Sequence, residues 1–163
     1  MIELIAADHP EQYAVARTLF REYAAQLGHD LCFQRFDEEL ASLPGAYAPP
    51  GGCLLLARDH DQWVGCVALR AISDTVCEMK RLYVRPSCRG RGLGRQLAEA
   101  VVQRAKTIGY QRMRLDTLES MTEARTLYQS LGFRETESYY YNPIGGVVFY
   151  ALDLTRPAAP QAR

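Results

Sequence analysis

The stretch CEMKRLYVRPSCRGRGLGRQL, Cys77 to Leu97, decides how the rest of the chain is read. An apolar strand runs into a loop carrying Gly90, Gly92 and Gly94, and a helix starts at once. Glycine admits positive φ and lets an anion approach the backbone N–H groups closely. Those groups and the positive end of the helix together form a phosphate site. Arg89, Arg91 and Arg95 add charge where a pyrophosphate would sit. Neither usual nucleotide pattern fits. G-x-x-x-x-G-K-[ST] is absent, and Arg95 stands where G-x-G-x-x-G needs its third glycine. Asp116 lies at a suitable distance for a ribose ligand, but the preceding strands read as an antiparallel meander rather than βαβ.

Outward from the loop, that meander is Cys53–Arg58, Trp63–Ile72 and Val76–Val84, joined by short polar turns. Leu93, Leu97, Val101, Ala105 and Ile108 trace one helix face after the loop. Arg112–Thr117 reads as a strand. Ser120 and Glu123 form a capping box for a helix bearing Ala124, Leu127, Tyr128 and Leu131. On the N-terminal side, a strand at Ile2–Ala6 precedes a helix capped by Asp8, with Pro10 and Glu11 in its first turn, which Gly28 stops. A short helix follows near Asp37–Leu43. Two strands, near Glu135–Tyr141 and Val147–Leu154, end the pattern. The order β-α-α-β-β-β-α-β-α-β-β predicts an α/β (α+β) chain whose mixed sheet has helices on both faces. Residues 1–154 are read as one domain and 155–163 as a flexible tail.

The 163 residues are enough for one core without a metal or disulfide staple. Hydrophobic residues make up 48% and charged residues 23%, as in globular domains. Nineteen Lys+Arg balance nineteen Asp+Glu, which excludes a surface coated with one charge for nucleic acid or membrane. The balance is an average. Lys80 to Arg95 holds six basic residues and no acidic one, leaving thirteen basic against nineteen acidic elsewhere. No signal peptide or membrane span is apparent, and the five cysteines form no C-x-x-C pair. Buried thiols of a cytoplasmic protein are expected, with Cys88, among Arg85, Arg89 and Arg91, either a stabilised thiolate or an inert loop residue. The histidines have no metal-ligand spacing, so no metal is expected.

Arg89-x-x-Gly92-x-Gly94 resembles the acetyl-coenzyme A motif of the GNAT-type N-acetyltransferase superfamily. Leu115 at a strand end and Ala124-x-x-x-Tyr128-x-x-x-Gly132-Phe133 agree with that family, and the resemblance spans about Ile2 to Leu154. It implies a GNAT-like, mostly antiparallel sheet of about seven strands. It further implies transfer of acetyl from acetyl-CoA to a small-molecule or exposed primary amine by direct attack on the thioester. The alternative is a CoA-binding sensor or interaction module without catalysis. Cofactor contacts fall on Leu82, Tyr83, Val84, Arg89, Gly90, Arg91, Gly92, Leu93, Gly94 and Arg95. A last-strand homodimer is compatible with the resemblance.

Glu78 stands where many members place a catalytic carboxylate. It reads either as general base or as a salt-bridge partner of Lys80, Arg81 or another nearby base. Tyr128 reads as general acid, since a phenol stays protonated when a thiolate leaves, or as a core tyrosine. Met121 occupies a position where many members carry Asn. The acceptor pocket would draw on Leu27–Phe36 and Tyr139–Val147. Phe33, Tyr139, Tyr140 and Asn142 are candidates to wall it, as are His29, Asp30 and Arg35. The alternative for the tyrosine run is packing at an exposed strand end, and the pocket would suit an apolar or cationic amine.

Overall fold

The computed structural model describes residues 1–28 and 35–157. Its elements are β1 (Ile2–Ala6), α1 (Pro10–Leu27), α2 (Phe36–Ser42), β2 (Cys53–Asp59), β3 (Gln62–Ala71), β4 (Val76–Val84), α3 (Leu93–Ile108), β5 (Arg112–Leu118), α4 (Thr122–Ser130), β6 (Arg134–Thr136) and β7 (Val147–Asp153). The strands form one sheet in the order β1-β2-β3-β4-β5-β7-β6. Only β4 and β5 run parallel, because α3 crosses between them; every other neighbouring pair is antiparallel. The mixed architecture expected from the sequence is the one observed.

The pleat sorts the core into two layers. Leu55, Val67, Leu69, Cys77, Met79 and Val84 pack on one face with Leu97, Val101 and Ala105 of α3 and Tyr128 of α4. Leu54, Leu56, Cys66, Ala68 and Tyr83 pack on the other with Ala16, Leu19 and Phe20 of α1 and Leu40 of α2. Complete burial of Phe20 and Leu97 contributes about 1.5–3 kcal/mol each.

Local signals were met in altered form. The first helix is N-capped at His9 with no side-chain bond, and Gln12 Oε1 accepts the Asp8 N–H at 2.8 Å instead. Ser120 and Glu123 form no capping box, since Met121 is the N-cap of α4 and makes no side-chain cap bond. The expected strand over Glu135–Tyr141 shrinks to Arg134–Thr136. Tyr139 and Tyr140 beyond it leave the ladder and turn their hydroxyls onto carboxylates of β4 and β5.

Candidate active site

Strands β4 and β5 pair only at Val76–Glu78 with Arg112–Arg114. Beyond that they part, and the fork opens a cleft of about 600 Å³. Within the fork β4 carries a bulge. Cys66 pairs with Tyr83 and Ala68 with Lys80, so Val67 faces two residues, Arg81 and Leu82. Arg81 holds φ at 61°, a region L side chains avoid at a cost of about 1–3 kcal/mol. Its guanidinium is fixed by two bonds to Glu39 of α2, at 3.0 and 2.9 Å, and lies over the rings of Tyr23 and Phe36. The Cys66 thiol donates to the Arg81 carbonyl at 3.2 Å. Clamps on both sides over-determine the bent backbone.

The glycine loop lies at one end of the cleft. Gly90 and Gly92 have φ of 81° and 78°, with open space where a Cβ would stand. Gly92 is the N-cap of α3, so the first N–H groups of that helix have no intrahelical partner. Leu82, Tyr83, Val84, Arg89, Gly90, Gly92, Leu93 and Gly94 all line the cleft, together with Tyr128. Arg89 donates to the Val84 carbonyl at 2.9 Å and stacks over Tyr83. Arg91 and Arg95 do not line it. Arg91 reaches Asp59 at 3.0 Å, and Arg95 reaches Glu99 at 3.3 Å and the hydroxyl of Ser130. Consecutive loop and helix positions point different ways, and only Arg89 faces inward.

Tyr128 enters from the α4 side of the sheet and is 6% exposed. Burial pushes its phenol well above its ordinary value. It stays protonated at any working pH.

The opposite side of the sheet carries charge. Glu78 is fully buried and absent from the cleft. Its Oε1 accepts from Arg70 Nε at 2.6 Å, and its Oε2 accepts from the Tyr139 hydroxyl. With both oxygens engaged, Glu78 sits as the salt-bridge reading has it. The partner is Arg70, directly across the β3–β4 ladder, rather than Lys80 or Arg81. Asp116 of β5 does line the cleft. Its Oδ2 accepts from the Tyr140 hydroxyl, and Asn142 Nδ2 donates to the same tyrosine oxygen at 2.9 Å. Oδ1 makes no hydrogen bond among the described residues. Lys80, 8% exposed, and Tyr23 complete this wall. Burial pushes the Tyr23 phenol up to about 12.

Tyr139, Tyr140 and Asn142 therefore stand behind the wall, holding its carboxylates, rather than on the cleft surface. Phe149 packs edge-on against both rings. Phe33, His29 and Asp30 lie outside the described residues. Lys80 and Asp116 were not singled out as acceptor-side residues. The alternation of β5 places Arg112, Arg114 and Asp116 on one face, but only the fork shows that this face opens to the cleft. Among the described residues no group of three His, Cys, Asp or Glu is placed to hold a metal ion, and no helix is long and apolar enough to cross a membrane.

This geometry has close relatives. The profile of the Acetyltransferase (GNAT) family matches residues 13–133. An uncharacterized N-acetyltransferase of Schizosaccharomyces pombe is 43% identical over 157 residues, covering 95% of this chain and 96% of that one. The uncharacterized N-acetyltransferase YjgM of Escherichia coli is 29% identical, covering 84% and 83% of the two chains. In fold, an acetyltransferase from Streptococcus agalactiae superposes with a TM-score of 0.77 at 21% identity, over 93% of this chain and 98% of that one. The yncA protein of Salmonella typhimurium, solved with acetyl-CoA, gives 0.71 at 22% identity over 99% of both chains. The chain belongs to the GNAT family of acetyltransferases.

Proposed function

We propose that this enzyme moves an acetyl group from acetyl-CoA to a small primary amine, with the two faces of the forked sheet dividing the work. The observation that carries the reading is the convergence on one cleft of the Gly90–Gly92 cradle, the α3 N-terminus and Tyr128. A cleft of about 600 Å³ is in the range for small-molecule sites. Open space at Gly90 and Gly92 fits a phosphate drawn against the backbone, and Arg89 supplies a cation beside it. The acetyl-CoA in the Salmonella structure of similar fold supports the same assignment. Arg91 and Arg95 sit near enough in sequence to add field, but their present partners make them secondary.

Acetyl-CoA, when bound, supplies an acetyl group already activated as a thioester. Backbone groups of Leu82, Tyr83 and Val84 border the cleft and would pair with the pantetheine arm as an added strand. The bulge at Arg81 presents local backbone outside the ladder, suited to polarising a carbonyl. Asp116, through Oδ1, takes the proton that the attacking nitrogen loses. Tyr128 gives its phenolic proton to the departing sulfur. Glu78 acts at one remove, holding Arg70 and Tyr139. The chain is read as one domain over 1–154, working in the cytoplasm. Its Cys53, Cys66 and Cys77 are buried free thiols, in keeping with a reducing compartment.

The test is free-thiol release from acetyl-CoA across amino acids, polyamines, aminoglycosides and peptide N-termini, with wild type and Tyr128→Phe. Loss of the acid should lower kcat by about 10²–10⁴-fold. Calorimetric affinity for acetyl-CoA should change by less than about threefold, since Tyr128 is assigned no ground-state bond to the coenzyme. Tight acetyl-CoA binding with no turnover of any amine would make the chain a CoA-binding module instead.

A further inference from the structure

Tyr139 and Tyr140, adjacent in the loop before β7, reach the two strands where they part: Tyr139 donates to Glu78 of β4, and Tyr140 to Asp116 of β5. Their rings meet edge to face at 5.2 Å, and each meets Phe149 in the same manner, at 5.3 and 5.5 Å. Ring packing is therefore similar for the two. What separates them is the group behind the hydroxyl. The Ile144 N–H donates to Asn142 Oδ1 at 2.9 Å, which sets the amide with its nitrogen toward Tyr140. That nitrogen donates to the Tyr140 oxygen at 2.9 Å and stands 3.5 Å from Asp116 Oδ2. A phenol has one proton to give. With the amide as donor to its oxygen, that proton is directed at Asp116 Oδ2. The bonds from Ile144 through Asn142 and Tyr140 to Asp116 all point the same way. Tyr139, by contrast, meets a carboxylate already bonded to Arg70.

We propose that Tyr140, oriented by Asn142, is a positioning residue for Asp116: it holds Oδ2, favours the charged carboxylate and leaves Oδ1 to take the proton of the attacking amine. The inference rests on the acetyl-transfer reading above and deepens its account of the base. In that step the nitrogen lone pair forms the N–C bond to the acetyl carbon, and the C–S bond breaks with its pair going to sulfur. The N–H proton passes to Oδ1 and its pair stays on nitrogen, while Tyr128 protonates the sulfur. A hydrogen bond to a carboxylate favours its charged form. Burial, followed by the charge of Asp116, holds the Tyr140 phenol above its ordinary value, so it keeps its own proton. Tyr140 is half-buried and does not line the cleft, whereas Asp116 does, so the tyrosine acts through the carboxylate and not on the substrate. Asp116 also acts electrostatically on Lys80 of β4, Tyr23 of α1, Tyr128 of α4 and Tyr139 of the loop, and Arg114 shares its face of β5. Of these only Tyr139 is altered in the variants below, as the control.

The experiment follows kcat for thiol release against pH, at saturating acetyl-CoA, with the fastest acceptor among the amino acids, polyamines, aminoglycosides and peptide N-termini. It compares wild type, Tyr140→Phe, Asn142→Ala, Tyr139→Phe and Asp116→Asn, with thermal melting at each pH to separate unfolding from titration. Tyr140→Phe keeps the ring and loses only the hydroxyl. Its kcat should fall about tenfold or more, the scale of one charge-assisted hydrogen bond. Its acid limb should move to higher pH, because a carboxylate deprived of that bond is protonated more readily. Its KM for acetyl-CoA should change by less than about threefold. Asn142→Ala should move the limb in the same direction by less, and it carries the test alone if Tyr140→Phe does not fold. Tyr139→Phe should leave the limb in place. An unmoved limb in both Tyr140→Phe and Asn142→Ala overturns the proposal. Equal movement in Tyr139→Phe and Tyr140→Phe would make the effect one of the whole loop and overturn it as well. An Asp116→Asn enzyme with the wild-type profile refutes the base itself, and no thiol release with any amine refutes acetyl transfer, two patterns distinct from the others.

Discussion

At the fork between β4 and β5 the two faces of the sheet are built on different principles. The α3/α4 face is an apolar layer of Leu, Val and Met side chains from which Tyr128 reaches the cleft, with Thr117 and the polar start of α4 beside it. The α1/α2 face carries at least seven ionised side chains within the same few strands and the helix packed on them. The apolar setting keeps the Tyr128 phenol neutral. A charged setting is what holding an amine and collecting its proton need, and it is tolerable only if the charges are paired. Arg70 with Glu78 and Arg81 with Glu39 are such pairs. They let Lys80 and Asp116 stand at the cleft. The same residue type thus serves two ends: Glu78 is sealed against Arg70 behind the wall, and Asp116 faces the cleft.

Asp116 and Glu78 on that face give the largest test. Asp116→Asn should reduce kcat by about 10²–10⁴-fold with little change in thermal stability. Glu78→Gln should do the reverse. Arg70 is partly exposed, so breaking this pair costs less than a fully buried one, about 2–3 kcal/mol. A melting-temperature drop of roughly 5–10 °C with kcat within about tenfold is expected. A stable Glu78→Gln protein with abolished turnover would instead make Glu78 the base and erase the contrast.

On the coenzyme side the effect is in binding. Arg89 is the loop arginine that faces the cleft. Arg89→Ala should weaken acetyl-CoA by about 1.5–3 kcal/mol, the scale of a charge-assisted bond. Arg91→Ala, which loses a contact to Asp59, should weaken it less. Equal losses by calorimetry would mean that the loop rearranges around the coenzyme. The smallest effect concerns the bulge. Arg81→Ala and Arg81→Gly both remove the Glu39 clamp, but glycine accepts a φ of 61° without strain. Urea denaturation should find the glycine variant more stable than the alanine variant by about 1 kcal/mol. Identical midpoints would show that the backbone relaxes out of the left-handed region once the clamp is gone.

Much of the coenzyme side was legible in the residues. Glycines spaced 90-92-94, a helix starting at Leu93 and an apolar period ending in Tyr128 are local facts, because anion binding at a helix start is built from consecutive residues. Two readings stayed open in the sequence where distant strands meet. Glu78 and Tyr139 are 61 positions apart, and Asp116 and Tyr140 are 24 apart, yet each pair is hydrogen-bonded. A carboxylate in an apolar strand looks the same in sequence whether it faces solvent, substrate or a guanidinium.

What the sequence determined by itself was therefore the set of elements, the mixed sheet and the glycine loop leading into α3, since each follows from periodicity or from neighbours within one turn. Which of two acidic residues meets the cleft, and which of three arginines faces inward, was decided only by the tertiary structure. The parting of β4 from β5 after Glu78 sets the first. Up to that residue the strands are paired and Glu78 is sealed against Arg70. Beyond it no ladder closes the gap, and Lys80 and Asp116 line the opening. Where a sheet stops pairing depends on bulges, crossovers and the side chains behind them, and these are properties of the assembled chain.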